Sequence, residues 1–353
     1  MPYVEWQGNT TARAQSGTVT VSAGFDSDTS HAAWILTVTD EAGKTFVVST
    51  SDTVFDTDDT TTTVATTLTS VWNAAENEAA SRVTATSSGA VVTLTADTTG
   101  VPFTVASSVV KSGGAGAIGA YTAVTANAGP EDWKTAENWS GGALPTNNDE
   151  IVIPAGTPAI RYGLVTGISA NSFRIQGHSN VIGGTDRGYL SIAAANDAEV
   201  EISKPGGQMW LDLGSSNPNP TSGGIFKVTN TDIPVEGQHG LYLKGTALTN
   251  VYIFRGNVGF GVDGDDTTSE CNNFYIGSEG ALASDAYLRI GKWVTDTGGA
   301  NIDLIDKEGG TVILEADVGA AAVKQRTSGG YFESRGTGAI VALTVSGGEA
   351  RLN

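Results

Sequence analysis

The chain has 353 residues, of which 39% are hydrophobic and only 16% are charged, and its formal net charge is −19. This length suits two domains, and the hydrophobic content excludes a disordered chain. The acidic balance disfavours direct binding to nucleic acid or to an anionic membrane, and no segment approaches the ~20 apolar residues of a membrane span.

Composition indicates the fold class. Glycine accounts for 46 residues, about 13% against the ~7% of average proteins, and threonine and valine are abundant. These residue types favour strands joined by tight turns, so we expect a mainly β protein. The single cysteine, Cys271, excludes an intrachain disulfide and is expected to be a buried small hydrophobe. No signal peptide is visible at the N-terminus.

Residues 1–110 are predicted to form a small β-rich module of α+β type with one helix. Apolar residues at helical spacing, from Val64 to Ala75, predict the helix over roughly 61–80, with Thr or Asp as its N-cap. The alternating runs predict strands at 17–21, 34–39, 45–49, 82–86, 90–96 and 101–105, the second and third joined by the turn 40–44. One helix is therefore expected to pack on a small antiparallel sheet.

This module resembles one that is common in phage structural proteins and large bacterial surface proteins. The resemblance rests on the run VTATSSGAVVTLTADTTGVPFTV, which follows the segment TFVVSTSDT…TTTVATTLTSVWNA, and it covers about residues 15–106. It implies a virion or surface-array context and no catalysis.

A Gly/Ala-rich linker is predicted at 111–130, with its best break in the run Lys111 to Ala117. The segment that follows contains Trp133, Trp139, Gly141-Gly142 and Pro145. It resembles the W…NWSGG-x-P entry segment that precedes β-solenoids in secreted and phage-associated proteins. We expect the two tryptophans to cap an open solenoid end and the Gly-Gly and Pro to turn the chain into the first coil.

Residues 131–353 are predicted to form a β-solenoid, similar to a β-helix. Short apolar runs alternate with Gly, Asn and Asp, and Gly-Gly pairs ending at Gly310, Gly330 and Gly348 recur at intervals of 20 and 18 residues. A repeat of this length with several short strands is typical of one solenoid coil. The alternative is a β-sandwich or jelly roll, which also contains short, evenly spaced strands.

Three acidic clusters are candidate Ca²⁺ ligands, but none matches an EF-hand loop or a nonapeptide repeat, and solvated turns are the favoured interpretation. They are Asp26 with Asp28, Asp56 with Asp58 and Asp59, and Asp263 with Asp265 and Asp266. We therefore assign no metal and no cofactor.

Catalytic residues are not indicated either. Solenoid lyases and hydrolases use paired carboxylates, yet no spacing singles out a pair among Asp303, Asp306, Glu308 and Glu315. The three histidines, His31, His178 and His239, are far apart in the sequence. Aromatic residues at strand spacing are candidates for a sugar platform but are more typical of core positions or of stacks between coils: Tyr242, Tyr252, Phe254, Phe260, Phe274 and Tyr275.

The resemblances and the composition together lead us to expect a non-enzymatic virion structural protein, synthesised in the host cytoplasm. It would be a capsid decoration (cement) protein or a head- or tail-associated fibre, with other virion proteins as partners. Alternatives are a carbohydrate-binding or depolymerising tail spike and a bacterial surface adhesin or array protein. The last coil, near Gly347-Gly348, has no capping helix, so we also expect a homo-oligomer, with a trimer as first choice, or further coils in a longer protein.

Overall fold

A computed structural model describes residues 2–24, 32–41, 43–50, 60–111, 115–214, 223–232, 237–246, 248–262, 269–277, 285–292, 294, 302–317, 320–325 and 330–352. The fold is mainly β, with a small α+β module and a parallel β-solenoid, as predicted. Contacts divide the chain into two units, Thr10–Thr135 and the combination of Met1–Asn9 with Ala136–Asn353.

These bounds differ from the expected module 1–110, linker 111–130 and solenoid 131–353. Strand β1 (Tyr3–Glu5) pairs in parallel with the solenoid strand Glu150–Pro154, because Val4 continues the apolar column that begins again at Ile151. In the expected linker, the strands Ala117–Ile118 and Thr122–Thr125 pair with the module. Residues 112–114 of the Gly-rich break lie outside the described residues.

The module contains strands in two antiparallel sheets where we expected one. β2 is central in the first sheet and pairs with β6, β8 and β9, while β3 is central in the second and pairs with β4 and β7. Its strands are β2 (Ser16–Ala23), β3 (Ala32–Thr39), β4 (Thr45–Ser49), β5 (Val83–Ser88), β6 (Val91–Ala96), β7 (Thr104–Lys111), β8 (Ala117–Ile118) and β9 (Thr122–Thr125).

Helix α1 (Thr61–Asn73) begins at the predicted residue, where the Thr60 side chain accepts a hydrogen bond from the Thr63 N–H at 3.2 Å. It ends seven residues before the predicted position 80. The cause is a pair of hydrogen bonds between the Asn73 side chain and the backbone of Ala85 in β5, at 2.9 and 3.0 Å. These bonds replace continued helix with an anchor to the sheet, and a short 3-10 helix follows at Ala80–Arg82.

The solenoid continues with sixteen strands in the described residues after β1 and the module. They are β10 (Glu150–Pro154), β11 (Val165–Gln176), β12 (Leu190–Lys204), β13 (Met209–Asp212), β14 (Ile225–Thr231), β15 (Leu241–Lys244), β16 (Leu248–Ile253), β17 (Gly256–Phe260), β18 (Cys271–Ile276), β19 (Ala286–Ile290), β20 (Ile302–Lys307), β21 (Thr311–Leu314), β22 (Ala320–Gln325), β23 (Tyr331–Ser334), β24 (Ile340–Val345) and β25 (Glu349–Leu352).

These strands form two parallel ladders, which excludes the antiparallel sandwich. From β14 onward each strand pairs with the next but one in sequence, so that one coil contributes one strand to each ladder. The long strand β12 serves both: its start pairs with β13 and its end with β14. The even-numbered strands β12 to β24 continue the first ladder, and the odd-numbered strands β13 to β25 form the second.

Inward side chains form continuous apolar columns along each ladder. The longest column takes one residue from each successive coil, and all but the last of its members are buried. It consists of Val4, Ile151, Phe173, Val200, Phe226, Val251, Phe274, Ile305, Val323 and Leu343. Each coil therefore buries its apolar face only through its neighbours, which is the energetic basis of a solenoid.

The glycine spacing in the sequence corresponds to the coil length. The register pairs Thr311 with Tyr331 and Tyr331 with Glu349, the residues that directly follow Gly310, Gly330 and Gly348. Gly330 has φ +102° and a Cβ there would clash with the carbonyl oxygen of Gly310 in the coil below. Stacked turns at this corner therefore require glycine.

The entry segment is closed by a tryptophan pair. Trp139 is fully buried and meets Trp6 edge-on, with ring centroids 5.1 Å apart. The Trp6 indole N–H donates to the carbonyl of Pro158 at 3.2 Å. Trp6, which the sequence analysis did not single out, is thus the partner of Trp139 in the solenoid unit, whereas Trp133 belongs to the other unit.

Candidate functional site

Three acidic clusters were considered above as Ca²⁺ ligands, with solvated turns as the favoured interpretation. Asp26, Asp28, Asp56, Asp58, Asp59, Asp263, Asp265 and Asp266 all lie outside the described residues. Elsewhere in the described ranges, no group of three or more His, Cys, Asp or Glu side chains has an arrangement that could hold a metal ion.

The four carboxylates considered for catalysis do not converge on one site. Asp303 and Asp306 lie on β20 in the first ladder, and Glu308 lies in the turn after it. Glu315 follows β21 in the second ladder, where its carboxylate is bound by Arg289 at 2.7 Å and by Arg335 at 3.4 Å. The two guanidinium groups therefore link three successive coils through Glu315.

Two of the three histidines, His178 and His239, are buried. His31 lies outside the described residues. His178 is fully buried, and its Nδ1 atom lies 3.1 Å from the hydroxyl of Thr157. Burial, and secondarily the charge of Lys204, lowers the pKa of His178 to about 4. His239 lies over Gly259, where a Cβ would approach its ring within 2.5 Å, and burial also lowers the pKa of His239.

The aromatic residues stack between coils or lie in the core. Tyr242 stacks on Trp210 with ring centroids 4.7 Å apart, and Tyr252 stacks on Tyr275 at the same distance. Phe260 and Phe274 are fully buried, and Phe254 is half-buried. Each stack covers one face of the tyrosine ring and joins neighbouring coils, which agrees with the expected stacks between coils.

A polar cleft of about 410 Å³ lies on the outer side of the first ladder. Its lining comes from four neighbouring strands of the first ladder, β10, β11, β12 and β14, and from Gly223 just before β14: Glu150, Asn171, Ser172, Arg174, Asp197, Glu199, Gly223 and Ile225. Four of these residues, Glu150, Ser172, Glu199 and Ile225, are direct register partners in successive coils. The cleft therefore runs across the strands, along the direction in which the coils stack.

The cleft has a small residue at its floor and long side chains around it. Ser172 points outward, between the inward positions of its strand, yet is only 6% exposed because Glu150 and Glu199 flank it in the adjacent coils. Arg174 donates to the Glu199 carboxylate at 2.6 Å. Its Nε atom is buried and has no hydrogen-bond partner within the described ranges. The arrangement offers both hydrogen-bond donors and an excess of acceptors.

Sequence reasoning did not identify this cleft. Its residues come from segments that are separated by unequal coil lengths, as the register of Glu150, Ser172 and Glu199 shows. A polar residue at an outward strand position is ordinary in a single sequence. The grouping becomes visible only when the register of the first four coils is known.

Comparisons with known proteins give no relative from which a role could be transferred. The chain matches no protein-family model, no curated protein and no solved structure. No helix within the described ranges has the length and apolar character needed to cross a membrane.

Proposed function

We propose that the chain is a virion structural protein: a capsid decoration protein, or a fibre associated with the head or tail of a phage particle. The observation that carries the proposal is the uninterrupted stack of parallel coils, with apolar columns running from β1 to β22. Such a stack extends in one direction and holds its outward side chains at a fixed spacing. This property suits a part that spans or projects from a larger assembly.

Cross-coil contacts on the outer surface support the same role. Arg289, Glu315, Arg335 and Glu333 form a chain of ion pairs over successive coils. Individual exposed ion pairs add little stability, but a network on a rigid scaffold resists sliding of one coil against the next. The resemblance of residues 15–106 to a module of phage and surface proteins adds the context of a particle.

The test is the presence of the protein in purified particles. Cells that carry the gene would be induced to release phage, and particles purified through a density gradient would be analysed by quantitative mass spectrometry. We expect the chain to co-purify at a fixed stoichiometry to the major capsid protein, and an abundant host cytoplasmic protein would serve as the contamination control. Its absence from particles, or its recovery only at the level of that control, would refute the proposal.

The proposal includes a homo-oligomer, with a trimer as first choice. Sedimentation velocity of the full chain at micromolar concentration should then show a single species heavier than the 36.1 kDa chain. A stable monomer over the whole concentration range would remove this part of the proposal and leave the virion location to the particle analysis.

A further inference from the structure

The N-terminal strap, residues 2–8, fills a slot between two other segments of the solenoid unit. One wall of the slot is β10, and the other is the stretch 138–140 of the entry segment. In this structure the strap occupies the slot of its own chain. We propose that the strap of one copy fills the slot of a second copy, so that exchanged strands link the subunits of an oligomer. The inference rests on the homo-oligomer of the proposed function and does not depend on a place in a virion.

The backbone of the strap is hydrogen-bonded to both walls, so the strap is a central strand of the slot and not an edge. With the donor first, these bonds join Glu150 to Pro2 at 3.0 Å, Trp6 to Val152 at 2.9 Å, Ser140 to Glu5 at 2.8 Å and Gln7 to Asn138 at 2.7 Å. An empty slot would leave backbone groups of both walls without partners, which costs free energy and invites pairing with another chain.

Two apolar side chains anchor the strap. Val4 continues the inward column that begins again at Ile151, and the Trp6 ring is fully buried against Trp139. The Trp6 indole also donates to the carbonyl of Pro158. Loss of the strap would uncover Ile151 and Trp139 at once, so the slot requires a strand with Val and Trp two residues apart. A second copy of the chain supplies that sequence, whereas an unrelated partner would have to match it.

The strap is joined to the slot only through the module. The whole of Thr10–Thr135 lies between the strap and the entry segment in the sequence. The connecting residues 9–12 form neither helix nor strand, and Asn9 and Thr11 are exposed. When extended, four residues span about 13 Å. The strap can therefore leave the slot of its own chain while the strands of both units stay intact.

Exchange preserves every contact of the strap, because the walls are the same in each copy. It therefore sacrifices no hydrogen bond and no buried apolar area, and the balance depends on how concentrated the neighbouring copies are. In a closed ring each copy donates one strap and receives one, so that no slot stays empty. A trimer, the first choice above, satisfies this condition.

The test is disulfide trapping in the full chain, with the native Cys271 replaced by alanine. Two pairs of introduced cysteines report on the two walls. The first is Tyr3→Cys with Glu150→Cys, which are direct register partners, and the second is Glu5→Cys with Ser140→Cys, which are hydrogen-bonded neighbours. The folded protein is oxidised and separated on a non-reducing denaturing gel. A strap in its own slot gives an intrachain disulfide and a monomer band, whereas an exchanged strap gives covalent multimers.

We expect covalent multimers up to the trimer for both pairs. Their yield should exceed by at least about tenfold that of a matched control, Tyr3→Cys with Glu349→Cys, because only the slot holds the two thiols together. The second cysteine of the control lies on β25, at the other end of the solenoid. Circular dichroism and melting curves of all variants must match those of the wild type. Since Tyr3 is 54% exposed and Glu150 is half-buried, the first pair tests the proposal without disturbing the core.

The results separate the failure of strand exchange from the failure of the oligomer. Intrachain disulfides in a protein that sediments as an oligomer would overturn the exchange and leave the homo-oligomer in place. Sedimentation as a monomer would overturn both. Free thiols in both pairs after oxidation would show that the strap lies in no slot, which also contradicts the proposal, as would multimers formed equally by the control.

Discussion

Lys307 lies directly next to Ile276 in the parallel ladder, so an ammonium group occupies an inward position that isoleucine fills in the preceding coil. Lys307 is fully buried, and its Nζ atom has no hydrogen-bond partner within the described ranges. Lys204 is also fully buried, but its Nζ donates to the carbonyls of Gly206 at 2.5 Å and Gly207 at 2.9 Å. The two lysines therefore differ in how their burial is compensated.

Replacing Lys307 with methionine should stabilise the protein. Methionine keeps the volume and removes an unpaired buried polar group, so we expect a gain on the order of 1–3 kcal/mol in the free energy of unfolding, measured by urea denaturation at pH 7. The matched change Lys204→Met should destabilise by about 1–3 kcal/mol, because it leaves two carbonyls without a donor. Equal effects of the two changes would contradict this distinction.

The advantage of Lys307→Met should shrink at alkaline pH. Burial lowers the pKa of Lys307 from 10.5 to about 8. Between these values the unfolded chain binds more protons than the folded one, so the wild type gains stability as pH rises through this window. At about 1.4 kcal/mol per unit, the gain is about 3 kcal/mol at most. The stability difference between variant and wild type, measured from pH 7 to 10.5, should fall accordingly, and a constant difference would refute the argument.

His178 should make the protein sensitive to acid. Its pKa is lowered from 6.5 to about 4, first by burial and then by Lys204. Between pH 6.5 and 4 the unfolded chain binds the additional proton, so the stability falls as pH decreases through this window, by about 3 kcal/mol at most. NMR titration of the histidine ring protons should place His178 near pH 4. His178→Gln should flatten the stability curve between pH 6.5 and 4, and titration of His178 near 6.5 in the folded protein would contradict the prediction.

Two neighbouring residues of β21 lie on opposite sides of the strand, Leu314 on the inner side and Ile313 on the outer side. Leu314 is fully buried and continues the column of Phe260 and Ile290, whereas Ile313 is aligned with Arg289 and Glu333 on the outer side and retains 8% exposure. Leu314→Ala should therefore cost about 2–5 kcal/mol in the free energy of unfolding, as expected for a cavity in a packed core. Ile313→Ala should cost clearly less, and the same loss for both would show that the register is shifted.

The sequence was sufficient for the architecture of the solenoid because its turns carry a strong local signal. Gly310, Gly330 and Gly348 all have a positive φ, which favours glycine, and their spacing therefore reported the coil length directly. The earlier coils have unequal lengths, as the pairing of Phe226 with Val251 and of Phe274 with Ile305 shows, so no period could be read there. The early end of α1 was also missed, because it depends on the contact of Asn73 with a strand that is distant from the helical pattern.

The polar groups of the interior were less predictable than the apolar columns. Lys307 belongs to an IDLIDK run whose alternation gives no indication that a lysine points inward. The cleft was missed for a related reason: Glu150, Ser172 and Glu199 become neighbours only through the register of the ladder. Local patterns thus predict which elements form, whereas the grouping of side chains from different coils depends on pairings between distant segments.

Cys271 provides a probe for opening of the central coils. Its side chain is buried, its thiol donates weakly to the carbonyl of Asn273 at 3.5 Å, and burial raises its pKa far above the ordinary value. Because the thiolate is the reactive form, a thiol reagent such as DTNB should react at least roughly a hundredfold more slowly with the native protein than with the chain in denaturant.

Ile276→Ala, at the other end of β18, should accelerate the native reaction by weakening the same strand. Leu36→Ala, in the core of the module, is the matched control: equal acceleration by both changes would show that the module and the solenoid open as a single cooperative unit, contrary to the division into two units.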